Sequence, residues 1–190
     1  MDESRLNKNM VDGQIKPING MNEYLLSAFY SFNRNDFMPE EMKKMSYIEK
    51  NIVLENTRTI LKPDLIAKIA IHINLKSNEN VLLLGASTGY LSAILSVQAE
   101  TVIVVEEDEQ LLNNSENAVK SNNINNVVFI KNDITKGYKD QSPFNAIIIE
   151  GAIQEVPQNI LDQLDNGGRL LAIIKEDDVC SAKLFRKNEK

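Results

Sequence analysis

Val81-Leu82-Leu83-Leu84-Gly85-Ala86-Ser87-Thr88-Gly89 is the stretch on which the fold turns. Four apolar residues in a row, ending at a glycine, suit a strand buried on both faces. The residues from Tyr90 to Val97 then read as a short helix. A strand, a glycine turn and a helix form the place where an α/β sheet usually holds a ligand. Glycine lets the backbone come close, and the helix turns free N–H groups outward.

The pattern repeats downstream. Thr101 to Val105 is β-branched and apolar, Glu107 to Ser121 is helical, and Val127 to Ile130 and Asn145 to Ile149 are strands. Pro157 to Leu164 reads as a helix, Asp165 to Gly168 as a turn, and Arg169 to Ile174 as a fifth strand. Ser181 to Arg186 supplies part of a sixth. Continuous apolar strands alternating with helices imply a parallel sheet covered on both faces, hence a doubly wound α/β fold.

Upstream the pattern is helical. Tyr24, Leu25, Ala28, Phe29 and Phe32 have helical spacing behind Asn22 as N-cap, and Pro39 to Met45 forms a second helix. Pro63 opens a third, with Leu65, Ile66, Ile69, Ala70 and Ile73 on its apolar face and Asn74 at its end. The expected division is residues 1–77 as a helical cap and 78–190 as the Rossmann-like domain.

The glycine turn narrows the ligand. Glu106 ends the second strand, 21 residues after Gly85, where an acid commonly bonds a ribose hydroxyl. A nucleoside-containing cofactor follows. A dinucleotide fingerprint would need glycine at Ser87 and Tyr90, and a P-loop would need Lys after Gly89. The turn also matches G-x-S-x-G, but a hydrolase needs a His after its Ser, and the one His in the chain, His72, precedes it. His72 reads as an ordinary helix-end residue, and Cys180 as a small buried hydrophobe.

Composition excludes other classes. One His and one Cys in 190 residues cannot make a structural zinc site or a disulfide, which suits a reducing cytoplasm. Lys and Arg number 21 against 27 Asp and Glu, a net charge of −6, which argues against nucleic acid as the main partner. No apolar run approaches a membrane span, and Met1 to Asn9 lacks a signal-peptide core.

Several blocks carry a resemblance. Val81 to Tyr90 resembles motif I of class I S-adenosylmethionine-dependent methyltransferases. Met10 to Ile15, Arg34-Asn35-Asp36-Phe37-Met38-Pro39, Ser46 to Glu49 and Pro143 to Ile174 resemble, in order, segments of the protein-L-isoaspartate O-methyltransferase family. The resemblance implies an enzyme that uses S-adenosyl-L-methionine to esterify L-isoaspartyl residues of damaged proteins. It implies that Gly85, Ala86, Ser87, Thr88, Gly89 and Tyr90 cradle the cofactor and that Glu106 holds its ribose. Asp133 and Ile134 would face the adenine, and Glu150 and Gly151 would border the methyl-transfer site.

Two positions depart from the family pattern. Ser87 stands where motif I usually has glycine. In Thr59-Ile60-Leu61-Lys62-Pro63, Thr59 matches the active-site segment, but Leu61 replaces the family's Ser and Lys62 its Gln. Lys62 could then offer charge to an incoming carboxylate. The alternatives are a weakened or non-catalytic protein of the same fold, or a methyltransferase with another acceptor. A carboxylate acceptor is ionised at neutral pH, so the scarcity of His suits it. The family sheet has seven strands, so the chain is expected either to lack its last one, leaving the fifth strand as an exposed edge, or to close its sheet differently.

Overall fold

The structure is a computed structural model that describes residues 2–54 and 58–188. Helix α1 (Glu3–Met10) is capped by Asp2 and continues into a π-helical turn at Val11–Ile15. Helix α2 (Glu23–Ser31) starts on Asn22, whose side chain accepts the Leu25 N–H at 2.8 Å, as the sequence predicts. The helix expected from Pro39 is a 3-10 helix over Glu40–Met45. None of its residues is buried, so no apolar face steadies a longer α-helix there.

Two short strands, β1 (Ile52–Val53) and β2 (Thr59–Ile60), pair antiparallel ahead of α3 (Pro63–Ile73). Pro63 sits in the first turn of α3, where its missing N–H costs nothing, and Asn74 closes the helix at φ +48°.

The remaining elements are β3 (Asn80–Leu84), α4 (Tyr90–Ser96), β4 (Thr101–Glu106), α5 (Glu109–Ser121), β5 (Val127–Lys131), β6 (Phe144–Ile153), α6 (Gln158–Leu161), β7 (Leu164–Glu176) and β8 (Val179–Arg186). Their sheet has the order β5-β4-β3-β6-β7-β8. All neighbours are parallel except β7 and β8. The chain winds outward from β3 through β4 to β5, then returns to lay β6 on the other side of β3. The strand order therefore reverses between β3 and β6, and a ligand crevice belongs at their carboxyl ends.

Both faces of the sheet are buried, as its apolar strands require. Val81 and Leu83 join one core cluster with α2, α3 and α4, while Leu82 and Leu84 join another with Ile160, Leu164 and Leu170. The first cluster also holds Met10, Phe29 and Phe37, so the N-terminal residues share a core with the sheet.

Four expectations need correction. Helix α6 is only four residues long, because Leu164 pairs with Phe144 and already belongs to β7. Helix α5 begins at Glu109, since the Asp108 carboxylate caps it through the N–H groups of Gln110 and Leu111. Cys180 is exposed, because β8 has no covering layer at that end. The strand from Arg169 is not an edge: β8 pairs with it along its length and becomes the edge of a six-stranded sheet.

Arg169 fixes α3 to this sheet. Its guanidinium meets both oxygens of Glu79, at 2.9 and 2.7 Å, and donates to the carbonyls of Ile73 and Asn74 at the end of α3. Burial pushes the Glu79 carboxyl up, but Arg169 and the Lys76 N–H more than offset it and hold it below the ordinary carboxylate range. The stability from this pair is present above the ordinary carboxylate pKa and is lost as pH falls through the lowered one. Arg169→Met leaves Glu79 buried without its partner and is expected to cost about 3–5 kcal/mol in urea unfolding. The double variant with Glu79→Met should cost less than the sum of the two single changes.

Candidate active site

The crevice between β3 and β6 is floored by the glycine turn. Gly85 has φ +95°, and a Cβ there would lie 3.1 Å from the Glu150 carbonyl oxygen. At Gly89 (φ +82°) a Cβ would lie 2.9 Å from the Ser115 carbonyl oxygen, in the flank of α5. Both positions therefore require glycine, for conformation and for space. Ser87, between them, also takes a left-handed φ of +44°, which costs a non-glycine residue roughly 1–2 kcal/mol. Its hydroxyl lies 3.5 Å from the Thr59 carbonyl, so β2 and the predicted Thr59 do stand beside the turn.

Glu106 is 1% exposed and serves the turn directly. Its Oε2 accepts the Ala86 N–H at 2.9 Å. Its Oε1 accepts the N–H groups of Glu107 and Asp108 at 2.9 and 3.0 Å and meets Arg58 Nη2 at 2.7 Å. Arg58 also reaches Glu107, at 3.1 Å. A buried carboxylate is thus satisfied by backbone and by one guanidinium.

Glu150 lies against Gly85 and differs sharply. Although the residue is partly open to solvent, its Oε2 is shut off from water and has no hydrogen-bond partner among the described residues. Burial pushes its carboxyl up to about 8. Arg34 draws it down, the Glu106 charge raises it further, and Arg58 and Ser87 draw it down again.

The other predicted residues divide. Asp133 caps a 3-10 turn at Ile134–Lys136, accepting the N–H and hydroxyl of Thr135 at 2.9 and 2.6 Å. The Thr135 hydroxyl, foremost, holds its carboxyl below the ordinary range. Ile134 lines an apolar cavity of about 330 Å³ with Leu84, Ile149, Ile153, Pro157 and Ile160, next to the carboxyl ends of β3 and β6. The Tyr90 ring is 1% exposed, edge-on to Phe29 and Phe37, so the side chain belongs to the core beneath the turn. Leu61 is likewise buried in the core. Lys62 pairs with Asp64 at 3.2 Å, and Lys68 meets the other Asp64 oxygen at 2.9 Å.

Two arginines were not singled out by residue chemistry. Arg34, 1% exposed, donates to the carbonyls of Ser46 and Leu61 at 2.8 and 2.6 Å and stands 5.2 Å over the Tyr90 ring. It ties two loops to the start of α3. The one signal for Arg34 was its place in a family-like block, and for Arg58 its place next to Thr59.

The raised Glu150 pKa has a sign that can be checked. Below the ordinary value of 4.5 the group is neutral whether the chain is folded or not; between 4.5 and about 8 only the unfolded chain ionises. Stability contributed by this group therefore falls as pH rises through that window. Glu150→Gln should match the parent in acid and exceed it by a few kcal/mol at a pH of about 8, read from urea melts.

Residues 5–190 match the family profile described as protein-L-isoaspartate(D-aspartate) O-methyltransferase. The chain is 31% identical over 162 residues to the protein-L-isoaspartate O-methyltransferase of Syntrophus aciditrophicus, covering 85% of this chain and 74% of that one. It is 30% identical over 189 residues to that of Methanospirillum hungatei, covering 98% and 88%. A solved protein-L-isoaspartate O-methyltransferase shares the fold at TM-score 0.80 and 24% identity, with 98% of this chain covering 60% of that one. A Plasmodium falciparum structure of the same name, solved with S-adenosyl-L-homocysteine, shares it at TM-score 0.78 and 21% identity, covering 98% and 90%. The profile match spans the cap segments, the glycine turn and the strands around the switch point alike, and on that ground the chain belongs to the protein-L-isoaspartate(D-aspartate) O-methyltransferase family.

Proposed function

We propose that this chain transfers a methyl group from S-adenosyl-L-methionine to the carboxylate of L-isoaspartyl residues in proteins. The observation that carries the reading is Glu106, a buried acid bonded to the glycine turn at the β3/β6 switch point of a family member. The cofactor assignment is supported by the S-adenosyl-L-homocysteine in the Plasmodium falciparum structure.

The residues suit that cofactor. Among the described residues Glu150 Oε2 is an acceptor without a donor, beneath the turn, and an incoming ammonium would answer it. The cavity beside Ile134 is apolar and suits a flat base. Glu106 Oε2 accepts one N–H, from Ala86, and would receive a ribose hydroxyl on its other lone pair. S-adenosyl-L-methionine, when bound, supplies a methyl carbon activated by a sulfonium. What this chain adds is alignment: the turn and Glu150 orient the donor, while the β2 end at Thr59 and Lys62 lies on the substrate side. No general base is needed, since the acceptor is already a carboxylate. His72, exposed in the last turn of α3, takes no part.

Leu61 favours a second reading, cofactor binding with little turnover. Its buried aliphatic side chain cannot hydrogen-bond to a substrate as the family's Ser would. The lone Cys supports placing the protein in a reducing cytoplasm. Among the described residues no helix is long and apolar enough to cross a membrane.

Methyl transfer to an isoaspartyl peptide, with the normal aspartyl peptide as control, tests the first reading. We expect methyl ester on the isoaspartyl peptide alone. Binding of S-adenosyl-L-homocysteine with no ester on either peptide would leave the second reading. Glu106→Gln should weaken that binding by about 10- to 100-fold in calorimetric titration, the usual range for one charged hydrogen-bond partner lost.

A further inference from the structure

The strand that carries Thr59 is rooted outside the two cores of the sheet. Ile52 of β1 and Ile60 of β2 pack with Met38 in a small apolar cluster of their own, and Met42, Met45 and Leu54 lie against it. The far end of β2 is anchored: Leu61 is buried in the core, and Arg34 Nη2 holds its carbonyl at 2.6 Å. The near end instead reaches across to the floor of the crevice. Arg58, the residue before β2, places Nη2 2.7 Å from Glu106 Oε1 and 3.1 Å from Glu107 Oε1. Ser87 sets its hydroxyl 3.5 Å from the Thr59 carbonyl. It holds φ at +44° there, a conformation that glycine adopts without strain. Strain kept at a ligand site points to a use for the side chain that causes it.

Both fasteners end on residues assigned to the cofactor. Arg58 uses Glu106 Oε1, while Oε2, bonded to the Ala86 N–H, keeps a lone pair for a ribose hydroxyl. Cation and ribose can therefore share one carboxylate. The Glu106 side chain is 1% exposed but that of Arg58 is 25% exposed. A ligand seated on the turn takes water away from that guanidinium, and an ion pair strengthens as water leaves it. We propose that Arg58 and Ser87 are positioning residues that couple the cofactor to the acceptor strand. A ligand on the glycine turn tightens β2 over the crevice and so sets Thr59 and Lys62 for the isoaspartyl carboxylate. This coupling rests on the cofactor assignment above. Linkage makes it reciprocal, so an acceptor held against β2 favours the cofactor by the same factor.

Amide hydrogen exchange of the whole chain, with and without saturating S-adenosyl-L-homocysteine, tests this without needing a methyl acceptor. The Leu54 N–H donates to the Arg58 carbonyl at 2.8 Å and reports on the start of β2. The Ala86 N–H, bonded to Glu106, reports on the turn. In the parent the ligand should slow exchange at both amides by about fivefold or more. In Arg58→Met it should still slow Ala86 but leave Leu54 within about twofold of its ligand-free rate. Arg58→Lys, which keeps the charge without the planar fork, should retain part of the effect at Leu54. Ser87→Gly relieves the left-handed strain, so it should raise the melting temperature and yet weaken the slowing at Leu54, a pairing that a purely structural role does not produce. Parent-like exchange of the buried β6 amides without ligand is the folding control. Equal slowing at Leu54 in the parent and in Arg58→Met would overturn the coupling. So would slowing in the parent that is confined to Ala86. No slowing at Ala86 in the parent would overturn the cofactor assignment itself, and the coupling with it.

Discussion

A carboxylate that is 1% exposed must find its hydrogen bonds inside the protein, and Glu106 finds them in three peptide groups and one guanidinium. The bond to Ala86 holds the glycine turn against the end of β4. The bonds to Glu107 and Asp108 shape the entry to α5, where the Asp108 side chain then caps the helix. Helix α5 in turn backs Gly89 so closely that no side chain fits there. One acid thus sets the turn, the neighbouring strand end and the following helix. Without it the left-handed conformations at Gly85, Ser87 and Gly89 would lack their brace.

Around that acid the charges are arranged in unequal environments. Both oxygens of Glu106 accept hydrogen bonds, while the Oε2 of Glu150 is buried and has no partner among the described residues, and its carboxyl is pushed up to about 8. Arg34 and Arg58 are the cations that act on Glu150. Arg58 bonds Glu106 and Glu107, and Arg34 bonds two backbone carbonyls through Nε and Nη2 while its buried Nη1 has no partner among the described residues. The crevice therefore holds one carboxyl that keeps its proton at neutral pH. A cationic ligand is what such a group receives best, because the ligand's charge supplies what burial removed.

The fold was legible because local signals agreed. The strands from Val81, Thr101 and Asn145 are apolar throughout, and glycine, asparagine and proline mark their ends. The turn and Glu106 were read from their spacing and Glu150 from its place after a strand, whereas Thr59 rested on the family resemblance alone. What sequence could not show are contacts made by long side chains across the fold. Arg58 reaches 48 residues forward to Glu106, and Arg34 reaches 27 forward to Leu61. Tyr90 closes the glycine motif in sequence, yet its ring turns inward because α4 buries that face. The strand from Arg169 was expected at the edge because the family's seven-strand count left its outer side short and only Ser181 to Arg186 was placed there; that neighbour is the full strand β8, paired along Val179–Arg186.

The central claim is that the turn, braced by Glu106 and completed by Glu150, seats a cationic adenosyl cofactor. Calorimetric titration of S-adenosyl-L-methionine near pH 7, in buffers of different ionisation enthalpy, tests it most directly. The account predicts binding accompanied by release of up to about one proton per chain, as Glu150 ionises against the incoming ammonium, and no such release in Glu150→Gln. Absence of binding, or binding with no proton release by the parent protein, would contradict it.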